Sequence, residues 1–133
     1  MKAKILVVDD DPSSGDLLQA TVGGDYQVAV ARSGAKALQA AAQEAPAVIL
    51  MDVEMPELDG CEATRRIRTL SRSGTRPWII ALTAGATQAH RDRAMGSGMN
   101  DFLTKPVRTE SISGALERAH AGLNGSVAAR EHA

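Results

Sequence analysis

Five polar residues in this 133-residue chain stand at the ends of short strand-like runs. Asp9 and Asp10 follow Ile5-Leu6-Val7-Val8, and Asp52 follows Val48-Ile49-Leu50-Met51. Thr83 follows Trp78-Ile79-Ile80-Ala81-Leu82, and Lys105 follows the stretch from Asp101 to Thr104. Brought together, three carboxylates repel one another and need cations to neutralise them. A hard divalent ion such as Mg²⁺ does this with oxygen ligands. It also lets a dianionic phosphoryl group approach a carboxylate, which can then act as a nucleophile and form an aspartyl phosphate. A lysine and a hydroxyl beside that carboxylate can hold the oxygens that arrive with the phosphoryl group. Singly, each residue has an ordinary explanation, such as a capped turn at Asp9 to Asp11. At four strand ends on one rim they make a site.

The elements that must position them alternate along the chain. Val48 to Met51 reads as a buried parallel strand, too short for a helix, and its loop is broken by Pro56 and Gly60. Ile5 to Val8 is a second such strand, and Asp11-Pro12 suits a helix start. That helix places Leu17, Leu18, Thr21 and Val22 on one face and stops at Gly23-Gly24-Asp25. A short strand from Gln27 to Val30 leads to a helix whose stripe is Ala37, Leu38, Ala41, Ala42 and Ala45. The third helix, from about Gly60, turns Ala63, Ile67 and Leu70 inward. A loop at Ser71 to Gly74 precedes the fourth strand, and the helix from Gln88 to Met95 has few apolar residues. A fifth strand leads to a last helix with Ile112, Ala115, Leu116, Ala119 and Leu123 on one face. The tail from Asn124 to Ala133 lacks periodicity and reads as disordered or as a linker stub after a unit of residues 1–123. Strand–helix alternation implies a parallel sheet covered on both faces, with ligands at the carboxyl ends of its strands.

Composition narrows the function classes. Fifteen basic against 16 acidic residues provide no general attraction to nucleic acid or to an anionic membrane. Arg65, Arg66, Arg68, Arg72 and Arg76 read as a solvated helix face, so no direct nucleic-acid binding is expected. No apolar run approaches a membrane span. The single Cys61 excludes an intrachain disulfide, and with no signal-peptide pattern at Met1-Lys2-Ala3-Lys4 a cytoplasmic location is expected. His90, His120 and His132 are too scattered for a metal site. There is no G-x-G-x-x-G or Walker A motif.

The motifs Ile-Leu-Val-Val-Asp-Asp at 5–10, Met-Asp-Val-Glu-Met-Pro-Glu-Leu-Asp-Gly at 51–60, Ala-Leu-Thr-Ala at 81–84 and Lys-Pro at 105–106 resemble the receiver domain of two-component response regulators. The resemblance covers roughly residues 3 to 121. It implies a flavodoxin-like, doubly wound five-stranded sheet of order 2-1-3-4-5 with five helices. It further implies that Asp52 is the phosphoacceptor and that Asp9, Asp10 and the Glu54 backbone carbonyl join it around Mg²⁺. Thr83 is then the switch hydroxyl, Phe102 the switch aromatic and Lys105 the phosphoryl-contacting lysine, in a typically cis Lys-Pro pair. Phe102 stands where chemotaxis members often carry tyrosine. The stretch from Gly98 to Pro106 looks more like receivers of hybrid histidine kinases, or free-standing ones.

On this reading a histidine kinase or histidine phosphotransfer protein phosphorylates Asp52, and a downstream protein reads the fourth helix, fifth strand and fifth helix. The domain catalyses only its own phosphorylation and dephosphorylation. Glu54 and Gly85, two residues beyond Asp52 and Thr83, are expected to set the phosphorylated lifetime; Gly85 leaves the water approach open, and Glu54 either shields it or orients a water. The alternative is a haloacid-dehalogenase-like phosphatase. Such enzymes usually carry Asp two residues after the nucleophile, where this chain has Glu54, and need room for a cap domain.

Overall fold

The computed structural model describes residues 4–12, 16, 18–20, 26–70, 77–85 and 87–132, with side chains through 123. Its strands are β1 (Lys4–Val8), β2 (Gln27–Ala31), β3 (Val48–Asp52), β4 (Trp78–Thr83) and β5 (Asp101–Thr104). Helical residues at 12, 16 and 18–20 are the described part of α1. After it come α2 (Gly34–Glu44), α3 (Gly60–Leu70), α4 (Gln88–Gly96) and α5 (Thr109–His132). The five strands form one parallel sheet of order β2-β1-β3-β4-β5, as the resemblance implied.

Successive strand side chains point to opposite faces, and the apolar runs therefore feed two cores. Leu6, Val8, Ile49, Met51, Ile79 and Ala81 face α2, α3 and α4, meeting Ala37, Cys61, Ala63, Ile67 and Ala94. Ile5, Val7, Val48, Leu50, Ile80 and Leu82 face the other way, onto Leu18 of α1 and Ile112, Ala115, Leu116 and Ala119 of α5. Both faces of β1, β3 and β4 are covered, which is why these strands are apolar throughout rather than alternating.

The details depart from the periodicity in three places. Leu70 was expected inward but is 58% exposed, because it is the last residue of α3 and the helix has outrun the sheet there. The stripe of α2 runs through Ala37, Leu38, Ala40 and Ala41; Ala42 is exposed and Ala45 is a left-handed cap at φ 46°. The backbone of α5 is helical through His132, past the aperiodic tail expected from Asn124. Leu17, Thr21, Val22, the stop at Gly23 to Asp25 and the loop Ser71 to Gly74 lie outside the described residues.

Of the arginines read as a solvated face, Arg65 and Arg66 are exposed and pair with Glu62. Arg68 is different. Its guanidinium donates to the carbonyls of Gly98 (2.9 Å) and Pro77 (2.7 Å) and to Asn100 Oδ1 (2.7 Å). The same Asn100 oxygen accepts from Ile79 N–H at 2.9 Å, so one side chain ties α3 to the amino ends of β4 and β5. Arg72 and Arg76 lie outside the described residues.

Candidate functional site

At the carboxyl edge the ladder runs one step past each strand. Asp9 N–H donates to Ala31 O (3.1 Å), Val53 N–H to Leu82 O (2.9 Å) and Lys105 N–H to Thr83 O (2.8 Å). Those bonds fix where Asp9, Asp52, Thr83 and Lys105 leave the sheet. Gly60 completes the frame from α3: its N–H donates to Val53 O at 3.0 Å, and a Cβ there would collide with the Asp52 carbonyl oxygen. Only glycine lets α3 start this close to the end of β3.

Asp9, Asp10 and Asp52 each offer a carboxylate oxygen within 4.8 Å of the others. Asp9 and Asp52 are buried, and Asp10 is exposed. Asp11 N–H donates to Asp9 Oδ1 at 2.9 Å, which turns Oδ2 inward. Asp9 Oδ2 and Asp52 Oδ1 are buried without an aligned hydrogen-bond donor, although Lys105 Nζ stands 3.7 Å from the first and 3.0 Å from the second. Buried anionic oxygens left this way are costly, and a cation satisfies them. An all-oxygen donor set suits a hard divalent ion.

The electrostatics follow from the crowding. Burial pushes the Asp52 carboxyl up from 3.8 to about 6, with help from the Asp9 charge and the Asp10 contact; the close Lys105 ammonium opposes the rise. Burial works to lower the Lys105 ammonium, but the carboxylates of Asp52, Asp9 and Glu54 outweigh it and its pKa is raised. Lys105 and Asp52 thus stand as an ion pair, with Lys105–Pro106 in the cis form.

Thr83 is buried beside them, and its hydroxyl donates to Glu54 Oε1 at 2.8 Å while accepting from Gly85 N–H at 3.1 Å. Phe102 is half-buried on β5 beneath Arg91 of α4. The space beside Gly85 is not open as the sequence suggested. The imidazole of His90, which also bonds Thr87, fills the position a Cβ on Gly85 would take. Two residues were missed from sequence, His90 and Arg68, and neither carries a local signal: each depends on contacts set by the tertiary fold. His120 pairs instead with Tyr26, at 2.8 Å.

Sheet order, rim and acidic cluster define an open parallel α/β domain whose three clustered carboxylates could hold a metal ion. The chain matches the response regulator receiver domain over residues 5–117, and it belongs to that family. The histidine kinase BarA of Escherichia coli is 34% identical over 119 residues, which are 89% of this chain and 13% of that protein, so the chain spans a small part of this relative. The receiver domain of the sensor histidine kinase PA1611 from Pseudomonas aeruginosa, with a magnesium ion coordinated in its active-site cleft, is 37% identical at a TM-score of 0.80, covering 89% of this chain and 97% of that one. The receiver domain of Saccharomyces cerevisiae Ssk1, solved with the histidine phosphotransfer protein Ypd1, is 30% identical at a TM-score of 0.78, covering 84% of each chain. Receiver domains are signalling modules of two-component and phosphorelay systems, paired with histidine kinases or phosphotransfer proteins. The phosphatase alternative finds no support among these relatives. Among the described residues no helix is long and apolar enough to cross a membrane.

Proposed function

We propose that this chain is the phosphoacceptor of a phosphorelay, with Asp52 as its nucleophile. The observation that carries the reading is a buried carboxylate with two further acids within 4.8 Å and an ammonium at 3.0 Å. An oxygen of Asp52 attacks phosphorus, the P–N bond of a phosphohistidine breaks, and the imidazole leaves with the electron pair. The donor is a histidine kinase or a histidine phosphotransfer protein, a pairing supported by the Ssk1–Ypd1 likeness.

Asp9, Asp10, Asp52 and the Glu54 backbone carbonyl would hold Mg²⁺. Bound there, the ion would neutralise the acids and let a dianionic phosphoryl group approach. Lys105 then binds one phosphoryl oxygen and Thr83 another, bonds that exist only after transfer. Their gain shifts an equilibrium between resting and active forms, with Phe102 changing environment alongside Thr83. A downstream protein reads the face formed by α4, β5 and α5. No enzymatic activity beyond self-phosphorylation and self-dephosphorylation is assigned. We place the receiver unit at residues 1–123, with 124–133 leading away from it, and its location in the cytoplasm.

Acetyl phosphate with Mg²⁺, followed by mass spectrometry, tests the nucleophile. Wild type should gain one phosphoryl group and Asp52→Asn none; chelating the metal, or Asp10→Asn, should slow labelling sharply. Stable labelling of Asp52→Asn would move the nucleophile elsewhere.

A further inference from the structure

The Thr83 hydroxyl has a single proton, and that proton is directed at Glu54. The Oγ1 to Oε1 distance is 2.8 Å, and the lone pair on the other side is taken by Gly85 N–H at 3.1 Å. A phosphoryl oxygen on Asp52 can receive a hydrogen bond from Thr83 only if Glu54 gives it up. We propose that Glu54 is a built-in competitor of the phosphoryl group: its carboxylate holds Thr83 in the resting arrangement until phosphorylation of Asp52 displaces it. The proposal rests on the phosphoacceptor reading above and adds a regulator to that site.

Three features suit Glu54 to this task. Both acceptors are anionic, so the same charge-assisted bond is exchanged for its like and the contest is close. The Glu54 charge also acts on Lys105, so one carboxylate draws on both phosphoryl-binding groups. Glu54 is exposed whereas Thr83 is buried, so the released carboxylate returns to water without an unsatisfied group being left behind. Gly85 N–H donates to the same Thr83 oxygen, so a shift of that hydroxyl toward the phosphoryl group is felt by the segment leading into α4.

Beryllofluoride, with Mg²⁺ saturating, serves as the phosphoryl probe in a calorimetric titration of wild type, Glu54→Ala, Thr83→Ala and the double variant. Glu54→Ala should lower the half-saturating beryllofluoride concentration about tenfold, the size expected for one charge-assisted bond. In the Thr83→Ala background the same substitution should give a clearly smaller gain, because the contested proton is gone and only the Glu54 charge acting on Lys105 remains. Thr83→Ser, which keeps the hydroxyl, should restore the gain. An equal gain with and without the hydroxyl would mean simple charge repulsion, and no gain would mean no competition; either overturns the proposal. Undiminished beryllofluoride binding by Asp52→Asn would instead overturn the phosphoacceptor reading.

Discussion

The guanidinium carbon of Arg91 lies 5.4 Å from the centroid of the Phe102 ring, a cation–π contact that reaches from α4 onto β5. At a partly exposed site such a contact contributes about 0.5–1 kcal/mol. Ala94 is the one buried residue of α4, so Arg91 is a sizeable share of what holds this helix down. Arg91→Ala should therefore raise amide exchange across Gln88–Gly96 while β1 and β3 keep their protection. Beryllofluoride should act on the wild type in the same region, between Thr83 and Leu116. Changes confined to residues 26–45 would assign the responsive face elsewhere.

Asp52 makes the metal-free fold pH-sensitive, and the sign follows from the raised pKa. Between about pH 4 and 6 the folded carboxyl keeps a proton that the unfolded one has lost. Stability from this group is thus present at the low end and falls as pH rises through 6, by up to about 3 kcal/mol. Urea unfolding in a chelator should show that decline for wild type. Asp52→Asn should flatten it and be the more stable protein at pH 7. A wild-type curve that rises over this interval as steeply as the variant's would contradict the assignment.

His90 replaces the missing side chain of Gly85 and changes what a substitution there does. Gly85→Tyr must first push the imidazole aside, so it exchanges one cover for another and should alter phospho-Asp52 decay little. His90→Ala removes the cover and should speed decay several-fold, on the order of 1 kcal/mol in barrier. Decay followed with Mg²⁺ saturating separates the two. A decay rate unchanged in His90→Ala would leave the imidazole without a part in hydrolysis.

Gly60→Ala places a methyl against the Asp52 carbonyl oxygen and 2.9 Å from Val53 Cα, atoms of the backbone that cannot yield cheaply. Overpacking of this kind costs about 1–3 kcal/mol. A lower denaturation midpoint should come with slower labelling of Asp52, since the clash falls on the residue that carries it. Full stability in Gly60→Ala would show that α3 can start farther from β3.

The acids, Thr83 and Lys105 were legible because a parallel sheet delivers its strand ends to one rim, and each residue stands at the end of a short strand-like run. Gly60 was legible only as a loop breaker; its close approach to Asp52 is a tertiary fact. Arg68 was misread because its acceptors, the carbonyls of Pro77 and Gly98 and the amide of Asn100, all lie outside α3, and a helical wheel shows none of them. Leu70 was misplaced for a related reason: periodicity gives the face of a helix but not where the sheet beneath it ends. The His90–Gly85 contact depends on where α4 begins, which the sparse apolar content of that helix left open.

The two ends of α4 are held unequally: several contacts fasten its last turn, and the Arg91–Phe102 contact is the tie from its first turn to the sheet. Arg93 pairs with Asp59, Cys61 Sγ reaches Arg93 O at 3.9 Å, and the chain just beyond is held by Arg68 through Gly98. The opposite end has Thr87 and His90 bonded to each other, above a glycine. A rod clamped at one end swings rather than slides. With the pivot at Arg93, the widest arc would belong to the turn nearest Thr83, and on the phosphoacceptor reading a small change at that hydroxyl would be read out with leverage.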